Sequence, residues 1–593
     1  MSRVTRLLCV GVAIIVGAPA FAAERGLEGT FELSYFDGPI EVHLALIHFE
    51  TKDGKLVGNL VGHNTRMGDL KLTSAAQAGK TLRIKVQGPR GEQVFEGKLG
   101  SDKTLGSYAG ENSIYPAKLA KSDLTEIVGA KGFSSLNVAP LTKVRQLSTK
   151  PLLLRNQARR EQDEVKKAEL VKQAKEAAKV AEEEVPGLYR EVLEKHADSP
   201  AVFQAGFNLL RDTKYKPASD DIRKWAGIIA HAAKAYGRRY EADANTQLAE
   251  VLGIRDDLQD VALEYAKKAE KSFTHDTPAE FQVRVLKALA TVLRKSNQAS
   301  ELKVVDSRIA KLDAVLDREY FAKMPPFKPA GFPGRKAKSD RVVVMELFTG
   351  AQCPPCVAAD AAFDGLEKVF KPMDVVLLQY HLHIPGPDPL TNADTIARAK
   401  YYKVSSTPST LFNGKSKAGG GGGLNNAENK FKQYREIIDP LLEDPASVHL
   451  TATAHRQGEQ INIKADVAGL PEPGDNKRLR FVLVEEAIRY VGSNRMRFHH
   501  QVVRAFPGGV EGIPLKQKDS HHATTVDVNA LRKDLVKYLD ESAKVRPYPY
   551  ADRPLDLKNL KVVVLVQDDD SKEILQAAEV DLGGGPSHQI TSR

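Results

Sequence analysis

Hydrophobic and polar residues alternate near the start of the chain. Ile40, Val42, Leu44 and Leu46 occupy every second position, and so do Leu82, Ile84 and Val86. That is the period of a strand with one buried face. Turn signals follow at Asp37-Gly38, Asp53-Gly54 and Pro89-Arg90-Gly91. Glycines in Val57-Gly58, Glu96-Gly97 and Leu105-Gly106 suit a tightly curved sheet. Residues 24–122 are therefore expected to form an all-β barrel or sandwich, with a side-chain-filled core favoured over a ligand cavity.

From 123 to 325 the pattern turns helical. Residues 157–184 mix Lys, Glu and Ala with few large apolar groups, which predicts a solvated helix. Beyond Pro186 the helices become amphipathic. Leu248-Ala249-Glu250-Val251-Leu252 echoes as Leu289-Ala290-Thr291-Val292-Leu293, 41 residues later. Paired helices at that period resemble tetratricopeptide-like repeats, although the period is long and the signature aromatics are mostly missing. The reading is an α-solenoid-like stack, serving as a docking surface or as a spacer. The only tryptophan, Trp225, reads as helix-packing core.

Met324-Pro325-Pro326-Phe327-Lys328-Pro329 predicts a stiff linker over 326–337. A compact α/β segment is expected over 338–442. Strand-like runs return over 446–585, at Val448 to Ala452, Gln460 to Lys464, Leu479 to Val484 and Val562 to Val566. Turn-rich or long loops between them suit an antiparallel β-sandwich.

A length of 593 residues calls for several domains. Residues 1–22 read as a secretory signal: Arg3 and Arg6, an apolar core from Leu7 to Val16, then the small-x-small site Ala20-Phe21-Ala22. The apolar run is too short for a membrane anchor. Lipidation at Cys9 is disfavoured, because Leu8 precedes it where a small residue is wanted. The expected location is the periplasm or the exterior, and no stretch of the mature chain reads as a transmembrane span. Cleavage removes two arginines and no acid, so net charge falls from +10 to +8. That excess is read as spread over Lys/Glu-mixed segments. With no basic patch interleaved with aromatics, nucleic-acid binding has no support.

Export leaves two of the three cysteines, Cys353 and Cys356 of Cys353-Pro354-Pro355-Cys356. They follow the apolar run Val342 to Phe348 and open a helical pattern carried by Ala359, Phe363, Leu366 and Phe370. Strand, turn, Cys-x-x-Cys, helix is the setting of a redox dithiol. At the helix N-terminus the macrodipole and free amides favour a Cys353 thiolate. Pro354 and Pro355 fit a first turn that needs no amide donors. A second strand, Val375 to His383, leads to the loop 384–389. A helical stretch from Ala393 to Tyr402 follows, and then Val404-Ser405-Ser406-Thr407-Pro408-Ser409-Thr410-Leu411-Phe412-Asn413-Gly414.

With these motifs in order, segment 338–442 resembles a thioredoxin-fold domain. Val404, Thr407-Pro408 and Asn413-Gly414 are similar to the cis-proline strand and following hairpin of that fold. The resemblance implies a cis Thr407-Pro408 bond packed against the dithiol, exposing backbone to a bound peptide. Three features depart from ordinary thioredoxin. Gln352 stands in place of tryptophan, the strand acid Glu346 lies seven residues before Cys353, and five glycines, Gly419 to Gly423, extend the hairpin. Glu346-Leu347-Phe348-Thr349 resembles an exported thioredoxin-like family that reads Glu-Leu-Phe-Thr-Ser before its cysteines. His499 to Pro507 is similar to outer-membrane-related bacterial proteins in which a thioredoxin-like domain precedes an immunoglobulin-like sandwich.

The pair Cys353-Cys356 has two alternatives to redox work, a structural disulfide and a zinc site. A loop this short gains little stability from closure. Zinc would need His381 and His383 as further ligands, and no second Cys-x-x-Cys exists. Glu346 is either the buried acid that relays a proton to Cys356 or a partner for a lysine at the sheet edge. His381 and His383 share a strand face. A charged imidazole there would lower the Cys353 pKa, and the alternative is a pair of loop-edge histidines. His499-His500 and His521-His522 are disfavoured as metal sites because neighbours on a strand face opposite ways. Gly419 to Gly423 lacks the ending of a phosphate loop and reads as a flexible hairpin.

The expectation is an exported, multidomain thiol–disulfide oxidoreductase. Cys353 and Cys356 would carry the chemistry, supported by Glu346, Thr407, Pro408 and His381, with no organic cofactor and no metal. Its partners would be protein thiols or disulfides and a redox partner. The alternative is a cell-envelope scaffold protein holding a structural disulfide.

Overall fold

The computed structural model describes residues 27–582 apart from 90, 101, 111–112, 128–131, 213–214, 216 and 549–551. The expected export signal, 1–22, lies outside them. The chain divides into two compact units, one through Ala314 and one from Val315.

The first unit opens with β1 (Gly29–Asp37), β2 (Ile40–Lys52), β3 (Lys55–His63), β4 (Lys71–Ala78), β5 (Thr81–Gly88), β6 (Gly91–Lys98), β7 (Lys103–Ala109), β8 (Ile114–Lys121) and the short β9 (Phe133–Ser135). They form one antiparallel sheet in the order β3-β2-β1-β8-β7-β6-β5-β4, with β9 on β2. It is a near-barrel: β3 and β4 approach each other without pairing. Leu44, Leu82, Ile84 and Val86, read from the alternation, join Leu33, Phe49 and Phe95 in its filled core. Two of the glycines are sterically required. A Cβ on Gly106 would lie 2.2 Å from the Glu96 carbonyl oxygen, and one on Gly97 would lie 2.7 Å from that of Leu105.

Eight helices follow: α1 (Ala139–Arg160), α2 (Glu164–Lys195), α3 (Ala201–Arg211), α4 (Ser219–Ala233), α5 (Gly237–Leu252), α6 (Gln259–Lys271), α7 (Ala279–Lys295) and α8 (Ala299–Lys323). The solvated stretch 157–184 is not one helix. The Asp163 side chain accepts from the Val165 and Lys166 amides and starts α2 afresh, so α1 and α2 form a hairpin. The two echoing segments are the inward faces of α5 and α7, with Leu248, Leu252, Leu289 and Leu293 all buried in one cluster that also holds Trp225.

The second unit takes in the last turns of α8. It adds β10 (Val343–Thr349), α9 (Val357–Glu367), β11 (Val375–His381), α10 (Ala393–Tyr401), β12 (Ser409–Phe412), β13 (Lys415–Ala418) and α11 (Ala427–Leu441). Then come β14 (His449–Gln457), β15 (Gln460–Ala468), β16 (Gly474–Arg489), β17 (Phe498–Ala505), β18 (Ile513–Leu515), β19 (Ser520–Asp527), α12 (Val528–Val545), β20 (Leu560–Asp568) and β21 (Ile574–Asp581).

The long sheet of this unit runs β13-β12-β10-β11-β17-β16-β20-β21, with β18 on β16. β10 and β11 are parallel, β12 is antiparallel to β10, and β11 pairs with β17 in parallel through Gln379 and Val502. The expected division between 338–442 and 446–585 is therefore no break in the sheet. The C-terminal segment does not build a sandwich from two sheets of its own. Only β14, β15 and β19 form a separate layer, which packs through Ile461, Ile463 and Val467 onto Phe481, Val562 and Val564 of the long sheet.

The linker is also part of the core. Phe327 and Phe332 pack against Phe431 and Phe370. The Arg335 guanidinium donates to Asp374 and to the carbonyls of Arg341 and Met373. The prolines keep this strap extended, and its aromatics anchor it to the sheet. No helix among the described residues is long and apolar enough to cross a membrane.

Candidate functional site

Cys353 and Cys356 lie just past the C-terminal end of β10. A short 3-10 turn, Pro354–Cys356, leads directly into α9. The two sulfurs are joined in a disulfide, with Cα atoms 5.4 Å apart. Cys356 is fully buried and Cys353 only 1% exposed. The expected nucleophile is thus covered as well as the expected resolving cysteine.

Three segments cover the pair. The first is Thr407-Pro408, whose peptide bond is cis. The Thr407 hydroxyl donates to Cys353 Sγ at 3.3 Å. The second is the glycine run, which lies along the Cys-Pro-Pro-Cys turn instead of hanging free. Gly422 N–H donates to the Pro355 carbonyl at 2.7 Å, and Ala358 N–H donates to the Gly422 carbonyl at 3.0 Å. A Cβ on Gly421 would stand 1.9 Å from the Pro355 oxygen, so only glycine allows this approach. The third is the loop 492–494. Ser493 donates twice to Gln352 Oε1, and Asn494 N–H donates to the Ala351 carbonyl at 3.0 Å. Beside Gln352 opens a groove of about 400 Å³ lined by Pro385, Gly386, Pro387, Ser493, Arg546 and Pro547.

Glu346 takes neither of its expected roles. Strand alternation puts Met345 and Leu347 on the α9 face of the sheet and Glu346 on the opposite face with Val344 and Phe348. There it is fully buried, accepting from Arg398 Nε at 2.9 Å and from the Tyr402 hydroxyl at 2.6 Å. Arg398 also donates to Gln567. Burial alone would lower the Arg398 pKa, but the Glu346 carboxylate outweighs it and holds the guanidinium charged. No lysine is involved, and the sheet lies between Glu346 and the helix that carries Cys356.

A different acid lies beneath the dithiol. Asp360 follows Cys356 by one helical turn, on the buried side of α9. Its Oδ1 accepts from the Thr349 hydroxyl at 2.7 Å, while its Oδ2 has no hydrogen-bond partner. Burial pushes its pKa well above the usual carboxylate range. The negative neighbours Asp364 and Asp388 add to this, and the Thr349 bond opposes it. One turn further, Asp364 pairs with His500 Nδ1 at 2.8 Å. Burial would lower the His500 pKa, but Asp364 and Glu367 push it up to about 9.

His381 and His383 diverge. β11 ends at His381, so the face they were expected to share does not extend to His383. His381 is fully buried, pairs with Asp388 Oδ2 at 2.9 Å and stands edge-on to His499. Burial would raise the Asp388 pKa, but His381 and the Leu390 and Ala351 amides outweigh it and keep the carboxylate charged. The Ala351 amide donates to that same Oδ2 at 2.6 Å. His381 therefore reaches the dithiol turn through Asp388. His383 bonds Tyr538 of α12 instead, and burial lowers its pKa. Burial likewise holds His499 down at about 3, so it is a neutral ring.

Asp360, Asp388, Ser493 and Asn494 were not singled out from the sequence. Asp360 and Asp364 had a readable signal: both interrupt the otherwise apolar run 357–366 at helical spacing. Asp388 and the loop 492–494 had none, because only the tertiary fold brings them to residues 350–352.

No family model and no curated protein matches this chain. Among solved structures, HBP35 of Porphyromonas gingivalis is similar at 12% identity, covering 44% of this chain and 81% of that one, with a TM-score of 0.29. A likeness at that level carries no inference about fold or function.

Proposed function

We propose that the protein is an exported thiol–disulfide oxidoreductase whose dithiol, Cys353 and Cys356, sits in a thioredoxin-like domain. The domain reading is supported by the parallel β10–β11 pair, the antiparallel β12–β13 hairpin, α9 and α11 on one face, and α10 on the other. The observation that carries the activity is the conjunction at the helix start. A disulfide-forming Cys-x-x-Cys pair has a cis Thr407-Pro408 on Cys353 and a buried acid of raised pKa one turn beyond Cys356.

In the reducing direction, Cys353 thiolate attacks a substrate disulfide. One substrate sulfur leaves as thiolate and a mixed disulfide forms. Cys356 then loses its proton and attacks Cys353 Sγ. The second substrate sulfur leaves, and two electrons have passed to the substrate. The opposite course oxidises a substrate dithiol. A redox partner protein or small thiol resets the pair.

The second reading, an envelope scaffold with a structural disulfide, is favoured by one observation, the near-complete burial of both sulfurs. Cys356→Ala separates the two. The enzyme reading expects this variant to accumulate mixed disulfides through Cys353 with proteins of the compartment. A folded variant that traps nothing supports the scaffold.

A further inference from the structure

Positive charge is distributed unevenly over the described residues. α1 carries Lys143, Arg145, Lys150, Arg155, Arg159 and Arg160 and no acidic residue. Its inner stripe, Leu141, Val144, Pro151 and Ala158, is buried. Its outer face is not a plain solvated surface. Leu152 is 55% exposed and Leu153 60% exposed. Leu152, Arg155, Asn156 and Arg159 stand at i, i+3, i+4 and i+7, and Leu153, Asn156, Gln157 and Arg160 repeat that spacing. The two leucines therefore lie among guanidinium groups.

Four of these six cations are unspent. Lys143 pairs with Glu184, and Arg145 donates to Ser135. Lys150, Arg155, Arg159 and Arg160 have no ion-pair partner among the described residues. The acids of the hairpin turn are occupied. Glu161 accepts from the Gln162 and Asp163 amides, Asp163 from the Val165 and Lys166 amides, and Glu164 from Lys167. Past the turn, Val165 is 81% exposed.

The geometry points to an anionic phospholipid surface as the partner of this face: Leu152 and Leu153 enter the headgroup boundary while Arg155, Arg159 and Arg160 bind phosphates. Exposed apolar side chains ringed by arginine are what an interfacial helix requires, because the apolar groups leave water and the guanidiniums stay at phosphate depth. A nucleic acid would satisfy the arginines and leave the leucines in water. The attachment is peripheral, since no described helix is long and apolar enough to span. It is also reversible and screened by salt.

The test uses the full mature chain and sedimentation with vesicles, phosphatidylcholine alone against the same vesicles enriched in phosphatidylglycerol. The expected result is binding to the anionic vesicles at least about tenfold stronger than to neutral ones, falling as salt rises. The triple reversal Arg155→Glu, Arg159→Glu, Arg160→Glu should abolish it. The pair Leu152→Ser, Leu153→Ser should weaken it several-fold with the melting curve unchanged, because both side chains are exposed. Absence of binding, or equal binding to both vesicles, overturns the inference. Binding lost on charge reversal but untouched by the leucine pair also overturns it, because it shows electrostatic adsorption with no apolar side chain entering the headgroup boundary.

Discussion

The two faces of β10 bury two carboxyl groups in different electrostatic surroundings. On the α10 face, Glu346 accepts from the Arg398 guanidinium and from the Tyr402 hydroxyl. On the α9 face, Asp360 has one hydroxyl donor, two negative neighbours and no cation. Burial is near complete for both. What differs is the counter-charge: Glu346 has a guanidinium against it, while Asp360 has none and burial raises its pKa. Of the two, only Asp360 lies on the helix that carries Cys356, within reach of a neighbouring thiol. The ion-paired one holds the sheet to α10.

Breaking the ion pair should give the largest effect. Arg398→Met leaves Glu346 buried without its cation, which costs about 3–5 kcal/mol of stability. Denaturant unfolding of the second unit should show it as a lowered midpoint. A loss under about 1 kcal/mol would mean the pair is solvated after all.

Next comes His500. Its folded pKa, pushed up to about 9, lies above the ordinary value of 6.5. Its contribution is therefore fully present below pH 6.5 and is lost as pH rises through about 9. His500→Gln should remove that slope, a difference on the order of 2–3 kcal/mol between the two ends of the window. Melting temperature against pH for both proteins checks it.

The smallest effect should be Asp360→Asn, with opposite sign. A carboxyl whose folded pKa is raised destabilises the fold as pH climbs from its ordinary range to the shifted one. The amide removes that dependence, so the variant should be at least as stable as the parent at neutral pH. As a carboxyl one helical turn from Cys356, Asp360 is placed to exchange a proton with that thiol, so the same variant should slow the release of the mixed disulfide. It should leave attack by Cys353 unchanged.

The sequence showed some of this plainly. Alternation over residues 40–46 and 82–86 located the near-barrel, because one buried face imposes a period of two. The Cys353-Pro354-Pro355-Cys356 turn and Thr407-Pro408 announced themselves by residue type and order. What stayed hidden depends on long-range pairing. β11 meets β17 through one residue pair across more than a hundred residues of chain, and no local pattern encodes that. The prolines of 326–337 read as a stiff spacer, while Phe327 and Phe332, which seal it into the core, looked incidental. The position of Glu346 on its strand told which face it shares with Val344. It did not tell that the face carries Arg398 and not the dithiol.

A redox titration of the protein, counting free thiols against a defined thiol–disulfide buffer, reads the state of Cys353 and Cys356 directly. A working redox pair gives a reversible two-electron transition between Cys353-Cys356 disulfide and dithiol, with a midpoint between about −270 and −120 mV. A pair that stays oxidised below about −300 mV would make the disulfide structural and contradict the oxidoreductase reading.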